Sequence, residues 1–333
     1  MQSNKPLTEF LGIEFPVIMA PMFLVSNYDM IMAGMKSGVM ATFPSLNYRK
    51  EGELAALLDT LNAGHAQYPK GNYGINLITQ KSNPLYEKHL KICVDKKVPF
   101  YITSLGSPKE VIAAARSYGA KVFCDVTNIT HAQKAFDCDC DGFIAVGQGA
   151  GGHAGPNPLQ VLVPALKENF PDKYVIAAGG IVGGHGLLSI RVLGADGASI
   201  GTRFIASKEC MVNDAYKNAI VKTGMDDIVM TTKLSGTPCT IIDTAEAKKM
   251  GYTQSWFEKF MSNNKRTKKW FKMLIQVQGM KRLEKSVLPN NYQRLWCAGK
   301  SVELIDNILT CEEIIAEIKA EYKKSVEEVA QYK

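Results

Sequence analysis

The 333-residue sequence lacks any long apolar run; none approaches the ~18 uninterrupted residues that cross a bilayer, so a membrane-spanning role is excluded. Its opening residues, Met1-Gln2-Ser3-Asn4-Lys5-Pro6, carry no apolar core of a secretory signal, and a cytoplasmic protein is expected. The eight cysteines are scattered, and the closest pair, Cys138-Asp139-Cys140, fits no common zinc framework. Reduced thiols and no bound metal are therefore expected. A large excess of charge of one sign is also lacking, with 39 basic against 32 acidic residues. A net charge of +7, with 21% charged and 46% hydrophobic residues, is ordinary for a soluble enzyme and excludes a disordered chain. One basic stretch, Lys265-Arg266-Thr267-Lys268-Lys269-Trp270-Phe271-Lys272, with Lys281-Arg282 beyond it, could meet nucleic acid or an acidic protein surface. A solvated helix face whose Trp270, Phe271 and Leu274 pack inward is the simpler account. No long basic stripe elsewhere matches the stretch, and no nucleic-acid partner is expected.

What the sequence does have is alternation. Short β-rich runs occur at 16–19, 39–42, 73–77, 99–103, 121–126, 142–146, 174–178 and 197–200. Helical patterns at 28–37, 51–62 and 84–95, and others starting near Pro108, Thr130, Pro158 and Gly186, separate them. Strands joined by crossovers of this length indicate parallel βα units. A closed barrel and an open doubly wound sheet both fit that description. No Gly-x-Gly-x-x-Gly follows the first strand, where a dinucleotide fold carries it. The unusual residues sit instead at the ends of many strands, which is the habit of a (β/α)8 TIM barrel. Such a barrel needs about 250 residues, so the chain carries a surplus. Residues 211–287 show no clear strand, and we read them as a smaller, mostly helical insertion, a lid or substrate domain. Residues 1–210 and 288–333 then form the barrel, with 302–327 as its last helix.

Glycine is concentrated where chemistry would be. Gly147-Gln148-Gly149-Ala150-Gly151-Gly152-His153-Ala154-Gly155-Pro156 follows the apolar run ending at Val146 and places five glycines around one histidine. Glycine costs conformational entropy, so this density points to backbone that must approach a ligand and present amides to it. His153 is then the titratable group of that wall, with an ordinary pKa near neutrality. Gly179-Gly180 and Gly201-Thr202 end the seventh and eighth strands, where barrels commonly hold a phosphate on loop amides. Tight strand-to-helix turning would use the same glycines.

The segments Pro16-Val17-Ile18-Met19-Ala20-Pro21-Met22, Gly74-Ile75-Asn76, Ala150 to Gly155, Ala178-Gly179-Gly180-Ile181 and Gly201-Thr202-Arg203-Phe204 occur in order. Together they resemble the nitronate monooxygenase (2-nitropropane dioxygenase) family, which is close to the FMN-dependent enoyl-acyl-carrier-protein reductases and NADH:quinone reductases. Leu295-Trp296-Cys297-Ala298-Gly299-Lys300 resembles the family's late Trp-Ser-Ala-Gly-Gln segment. The resemblance implies FMN across the barrel mouth. Ala20, Pro21 and Met22 would line the flavin, Asn76 would bond its ring edge, and Gly147, Gly152 and Gly179 would border it. Gly180, Gly201 and Thr202 would take the phosphate, and His153 would be the catalytic residue near the reactive face. Three positions depart from the family. Gly149 stands where a Glu is frequent, Asp125 where a lysine is common beside the flavin, and Lys300 where a Gln is usual. An aspartate at 125 disfavours an anionic reduced flavin unless Lys300 or Arg203 compensates.

The implied reaction is oxidation of an alkyl nitronate or nitroalkane by O2 to a carbonyl compound and nitrite. The alternative keeps FMN but uses NAD(P)H to reduce an enoyl thioester or a quinone. A homodimer is compatible with the sequence. His185 could contact the phosphate, although a surface histidine at a helix start is the ordinary reading. His131 is expected at a helix start, and His65 and His89 on exposed segments. Cys124 and Cys297 could border the site, without a clear activating partner.

Overall fold

The computed structural model describes residues 5–80, 82–234, 236–253, 278–279, 281–287 and 294–332, so the basic run 265–272 lies outside the described residues. Strands β1 (Val17–Met19), β2 (Met40–Pro44), β3 (Asn72–Ile78), β4 (Phe100–Ser104), β5 (Lys121–Val126) and β6 (Gly142–Val146) pair in order, each parallel to the next. A two-residue strand, β7 (Gly152–His153), leaves this sheet. β8 (Tyr174–Ala178) and β9 (Gly197–Ile200) complete it, and β9 pairs with β1 to close an eight-stranded barrel. The expected TIM barrel is present, and each expected strand lies within two residues of its position.

The period of two decides what each strand buries. Ile18, Met40, Phe100, Ile102, Phe123, Ile144, Tyr174 and Ile176 point inward and form one buried cluster with Leu7, Leu11 and Ile13. Their neighbours Val17, Met19, Val122, Cys124, Phe143, Ala145, Val175 and Ala177 point outward and are buried under the helices. The short helix Leu7–Leu11 plugs the amino end of the strands. Its Phe10 ring lies 4.6 Å from that of Tyr174, and the Lys121 ammonium sits 4.7 Å over Phe10. Burying one such aromatic is worth about 1.5–3 kcal/mol, so this end is firmly shut. The carboxyl end remains for a site.

The last helix, Cys311–Ala330, starts on a capping box between Thr310 and Glu313 and packs against the helix Gly184–Val192. A Cβ on Gly184 would collide with the Tyr322 nitrogen, so only glycine permits that approach. Between β9 and this helix, the described residues form helices Asp214–Lys222 and Ala245–Met250. They also form β10 (Ile228–Thr231) and β11 (Cys239–Ile242), where the sequence shows no clear strand. Both are β-branched runs of four residues, too short to show a period. Their antiparallel pairing, from Ile228 opposite Ile242 to Thr231 opposite Cys239, makes them a hairpin. β10, β11 and β7 form one antiparallel sheet, with Thr240 opposite Gly152 and Cys239 opposite His153. Ile241, Leu234, Cys239, Ala247 and Leu295 give this sheet a small apolar core of its own. Thus the glycine loop after β6 becomes a strand only because the surplus segment supplies its partner.

Candidate active site

The alternation that packs the barrel also selects the residues of its open end. Continuing the inward set by two residues places Ala20, Asn76, Ser104, Asp125, Val146 and Ala178 in the uppermost layer. Half of that layer is polar and hydrogen-bonded. Asn76 Nδ2 donates to Ser104 Oγ at 2.6 Å and to the Ile102 carbonyl at 3.2 Å. Ser104 Oγ donates in turn to Asp125 Oδ2 at 2.5 Å. Burial pushes the Asp125 carboxyl up to about 6, and the Ser104 bond, which favours the carboxylate, offsets only part of that. At pH 7 the group is therefore mostly ionised, and it terminates a directed chain across β3, β4 and β5. No motif marks Ser104 in the sequence; its parity with Phe100 and Ile102 is the signal that could find it.

The other half of the layer is apolar. Ala20 continues β1, its nitrogen donating to the Ile200 carbonyl at 2.8 Å. The loop Ala20-Pro21-Met22 is half-buried and held from behind. Asn47 Oδ1 accepts from Leu24 at 2.8 Å, its Nδ2 donates to the Ser26 carbonyl at 2.9 Å, and Ser26 Oγ accepts from the Met22 nitrogen at 2.9 Å. Asn47 is a second residue that no sequence motif marks. Val146 and Ala178 pack on the inward cluster and complete the floor.

The glycines divide into two kinds. A Cβ on Gly147 would come 2.9 Å from Leu159, on Gly151 2.7 Å from the Gly299 nitrogen, and on Gly155 would overlap the Val146 carbonyl outright. On Gly149 it would meet the Gly180 nitrogen at 3.1 Å, and on Gly179 (φ +119°) the Ala150 nitrogen at 2.6 Å. These five let three loops of the protein stack on one another. Gly152 (φ +72°) and Gly180 (φ +76°) differ: both are left-handed, and nothing lies within 4 Å of either Cβ position. Gly201 would place a Cβ 3.5 Å from Ala20 and 3.6 Å from Met22, so its open face is shared with the β1 loop. Beside it Thr202 is buried, and its Oγ1 accepts from the Gly299 nitrogen at 3.1 Å, tying the late segment across the mouth.

His153 reaches the mouth on β7. Thr240 Oγ1 donates to the Ala150 carbonyl at 2.6 Å and anchors the hairpin to the glycine loop. Solvent reaches the imidazole, yet the protein crowded around the cleft desolvates it and lowers its pKa below 6.5. Neither proposed counter-charge for Asp125 is arranged to serve as one. Arg203 is buried and donates to the Asn307 carbonyl and Oδ1 at 3.1 and 2.6 Å, which fixes the closing segment, and Lys300 is exposed. His185 pairs with Glu321 of the last helix, the surface role expected of it. His131 starts its helix and bonds Thr127 at 2.9 Å, and His65 bonds the Gly71 carbonyl at 3.0 Å. The expectation for His89 is corrected: it is 3% exposed, because with Cys93 it forms the inward face of helix Tyr86–Asp95. Cys297 lies at the site's edge beside Cys239, and Cys124 faces outward under the helices.

A flat ring system with one phosphate fits this arrangement. The floor offers an apolar half for the ring and amide and hydroxyl groups for its edge. Gly180 and Gly201 leave room where a side chain would otherwise intrude. A family model described as nitronate monooxygenase matches residues 51–321. The chain belongs to the nitronate monooxygenase family. A family member of this architecture is a flavin-dependent oxidoreductase, and so is this chain. Among curated relatives, the chain is 29% identical to a (3aS,4S,5R,7aS)-5-hydroxy-7a-methyl-1-oxo-octahydro-1H-indene-4-carboxyl-CoA dehydrogenase of Mycobacterium tuberculosis, over 75% of this chain and 69% of that protein. It is 25% identical to a probable nitronate monooxygenase of Staphylococcus aureus, over 71% and 77% of the two chains. FabK from Thermotoga maritima superposes with a TM-score of 0.84 at 28% identity, covering 99% of this chain and all of that one. No described helix is long and apolar enough to cross a membrane.

Proposed function

We propose that the protein is an FMN-dependent nitronate monooxygenase, converting alkyl nitronates and O2 to carbonyl compounds and nitrite in the cytoplasm. The observation that carries the reading is the position of His153 on β7, which pairs with β11 and follows the glycine loop that Thr240 Oγ1 holds, together with the apolar Val146 and Ala178 at the carboxyl ends of the barrel strands. Gly180, Gly201 and Thr202 would hold the FMN phosphate, Ala20, Pro21 and Met22 the ring face, and Asn76 the ring edge. FMN, when bound, supplies the electron acceptor and the route of electrons to oxygen. The protein supplies the rest. A neutral imidazole can take the α-proton of a nitroalkane onto a ring nitrogen, or donate its N–H to the nitro oxygens of the nitronate. The Val146 and Ala178 surface favours a small alkyl group, and the hairpin of β10 and β11, paired with the strand that bears His153, acts as a lid that keeps water from the substrate. Anaerobic mixing of the flavin-loaded protein with propyl-2-nitronate should bleach the flavin absorbance, and a spectrum that stays oxidised rejects the reading.

A second reading is favoured by one feature, the Asp125 carboxylate. An anionic group on the floor repels an anionic nitronate but not a neutral thioester carbonyl. The Mycobacterium relative named as a carboxyl-CoA dehydrogenase points the same way. In that case His153 donates a proton or orients the thioester carbonyl, and NAD(P)H is the reductant. Stopped-flow mixing separates the two: fast flavin reduction by NADH or NADPH, with inertness to nitronate, replaces the first reading by the second.

A further inference from the structure

Two thiols lie where the hairpin meets the late segment. Cys239 Sγ and Cys297 Sγ are 3.9 Å apart, on strands joined by the Ile241–Cys297 bridge and the bond from the Ile242 nitrogen to the Trp296 carbonyl at 2.9 Å. Cys239 is two residues from Ile241, so the thiols face one another diagonally on one side of the ladder. Cys239 is 4% exposed, whereas Cys297 is half-buried as a residue and is the more open of the two. The Tyr216 hydroxyl donates to the Cys297 carbonyl at 2.5 Å, and the Tyr216 ring stacks on Trp296 at 5.4 Å, so the backbone of Cys297 is held in place. β10 occupies one edge of β11, and on the same free edge that meets Cys297, Cys239 is the residue directly opposite His153.

We propose that Cys239 and Cys297 are a peroxide-reactive thiol pair that closes to a disulfide beside His153. The Cys297 sulfur attacks the outer oxygen of a peroxide; the O–O bond breaks, and the departing oxygen takes the Cys297 proton and leaves as an alcohol, or as water from hydrogen peroxide. Cys297 is then a sulfenic acid. Cys239 sulfur attacks that sulfur, and hydroxide leaves and takes the Cys239 proton as water. Two thiols and one peroxide thus give one disulfide, one alcohol or water, and one further water. The direction follows from the hydrogen bond between the thiols, which holds the Cys297 thiol below the usual range and pushes Cys239 up, while burial opposes the first and reinforces the second. Bond formation draws the two diagonal partners together and so moves the strand that positions His153. The second close thiol pair, Cys124 and Cys140, is buried in full, and Cys124 Sγ already accepts from Thr103 Oγ1 at 3.1 Å.

The inference stands apart from the reaction proposed above. Its test is peptide mapping of the full-length protein treated with a stoichiometric amount of hydrogen peroxide and then alkylated. A Cys239–Cys297 linked peptide that dithiothreitol removes is expected, with two thiols lost per chain. In Cys239→Ser a dimedone adduct should appear on Cys297, and in Cys297→Ser neither product should form at Cys239. A map showing both thiols still free, or a link confined to Cys124–Cys140, or adducts on Cys138 alone, overturns the proposal. Because the mapping uses the unaltered protein, poor folding of either variant does not change what the map decides.

Discussion

At the scale of single residues, two groups in the mouth titrate in opposite directions for one cause, loss of water. Desolvation by the surrounding protein lowers the pKa of His153 and raises that of Asp125 to about 6. A base that must be neutral loses activity as pH falls, so kcat/KM for a neutral nitroalkane should show an acid limb below 6.5. His153→Asn should remove that limb and lower kcat/KM by roughly 10²–10⁴. An unchanged pH profile in the variant would transfer the base to another residue. The Asp125 linkage has the reverse sign to an ordinary salt-bridged carboxylate. Its folded pKa lies above the unfolded value of 3.8, so the folded state binds the extra proton between pH 3.8 and about 6 and stability falls as pH rises through that window. The charge costs at most about 3 kcal/mol above it. Asp125→Asn keeps an acceptor for Ser104 and should raise Tm at pH 8 while changing it little below pH 4. Equal effects at both pH values would show that the carboxyl is not the source.

At the scale of elements, legibility in the sequence follows the length and the period of the signal. The barrel strands can be read because each is an apolar run between turn residues, repeated with a helix after it. The hairpin β10–β11 cannot, since Ile228-Val229-Met230-Thr231 and Cys239-Thr240-Ile241-Ile242 are as consistent with a buried helix segment. The glycine loop is legible as unusual but not in its reason. Crowding at Gly147, Gly149, Gly151 and Gly155 arises from partners up to ~150 residues away in the chain, a distance over which no local pattern reports. Ser104 and Asn47 act through contacts to other strands and loops, and the type of residue alone does not reveal that. The two kinds of glycine should part on substitution. Gly155→Ala drives a Cβ into the Val146 carbonyl and should destabilise the fold by about 3 kcal/mol or more, seen as a lowered midpoint in urea. Gly180→Ala meets no atom and is strained only by its left-handed φ, about 1 kcal/mol, but places a methyl group where the phosphate would lie. FMN affinity measured by fluorescence quenching should fall roughly tenfold or more while the fold persists. Retention of full affinity would remove Gly180 from the phosphate site.

At the scale of the whole molecule, the proposed function would divide its two tasks between different parts of the chain. The residues that would grip the cofactor belong to the barrel, closed below by Phe10 and around its rim by the last helix. The imidazole belongs to a second sheet that β10 and β11 complete, and Thr240 Oγ1 joins that sheet to the glycine loop after β6. Binding to the folded state alone stabilises it by about 2.7 kcal/mol at a hundredfold excess over Kd, which for a chain of this size raises Tm by several degrees. That gain should be the same in His153→Asn as in the parent, and it should shrink in Gly180→Ala. Thr240→Val, which cuts the link between the sheets, should keep the FMN-induced rise and lose turnover instead, because the strand carrying His153 is no longer pinned over the floor. Were His153→Asn and Thr240→Val both to lose the thermal response to FMN, the second sheet would have to hold the cofactor itself, and the proposed division of labour between the barrel and that sheet would fail.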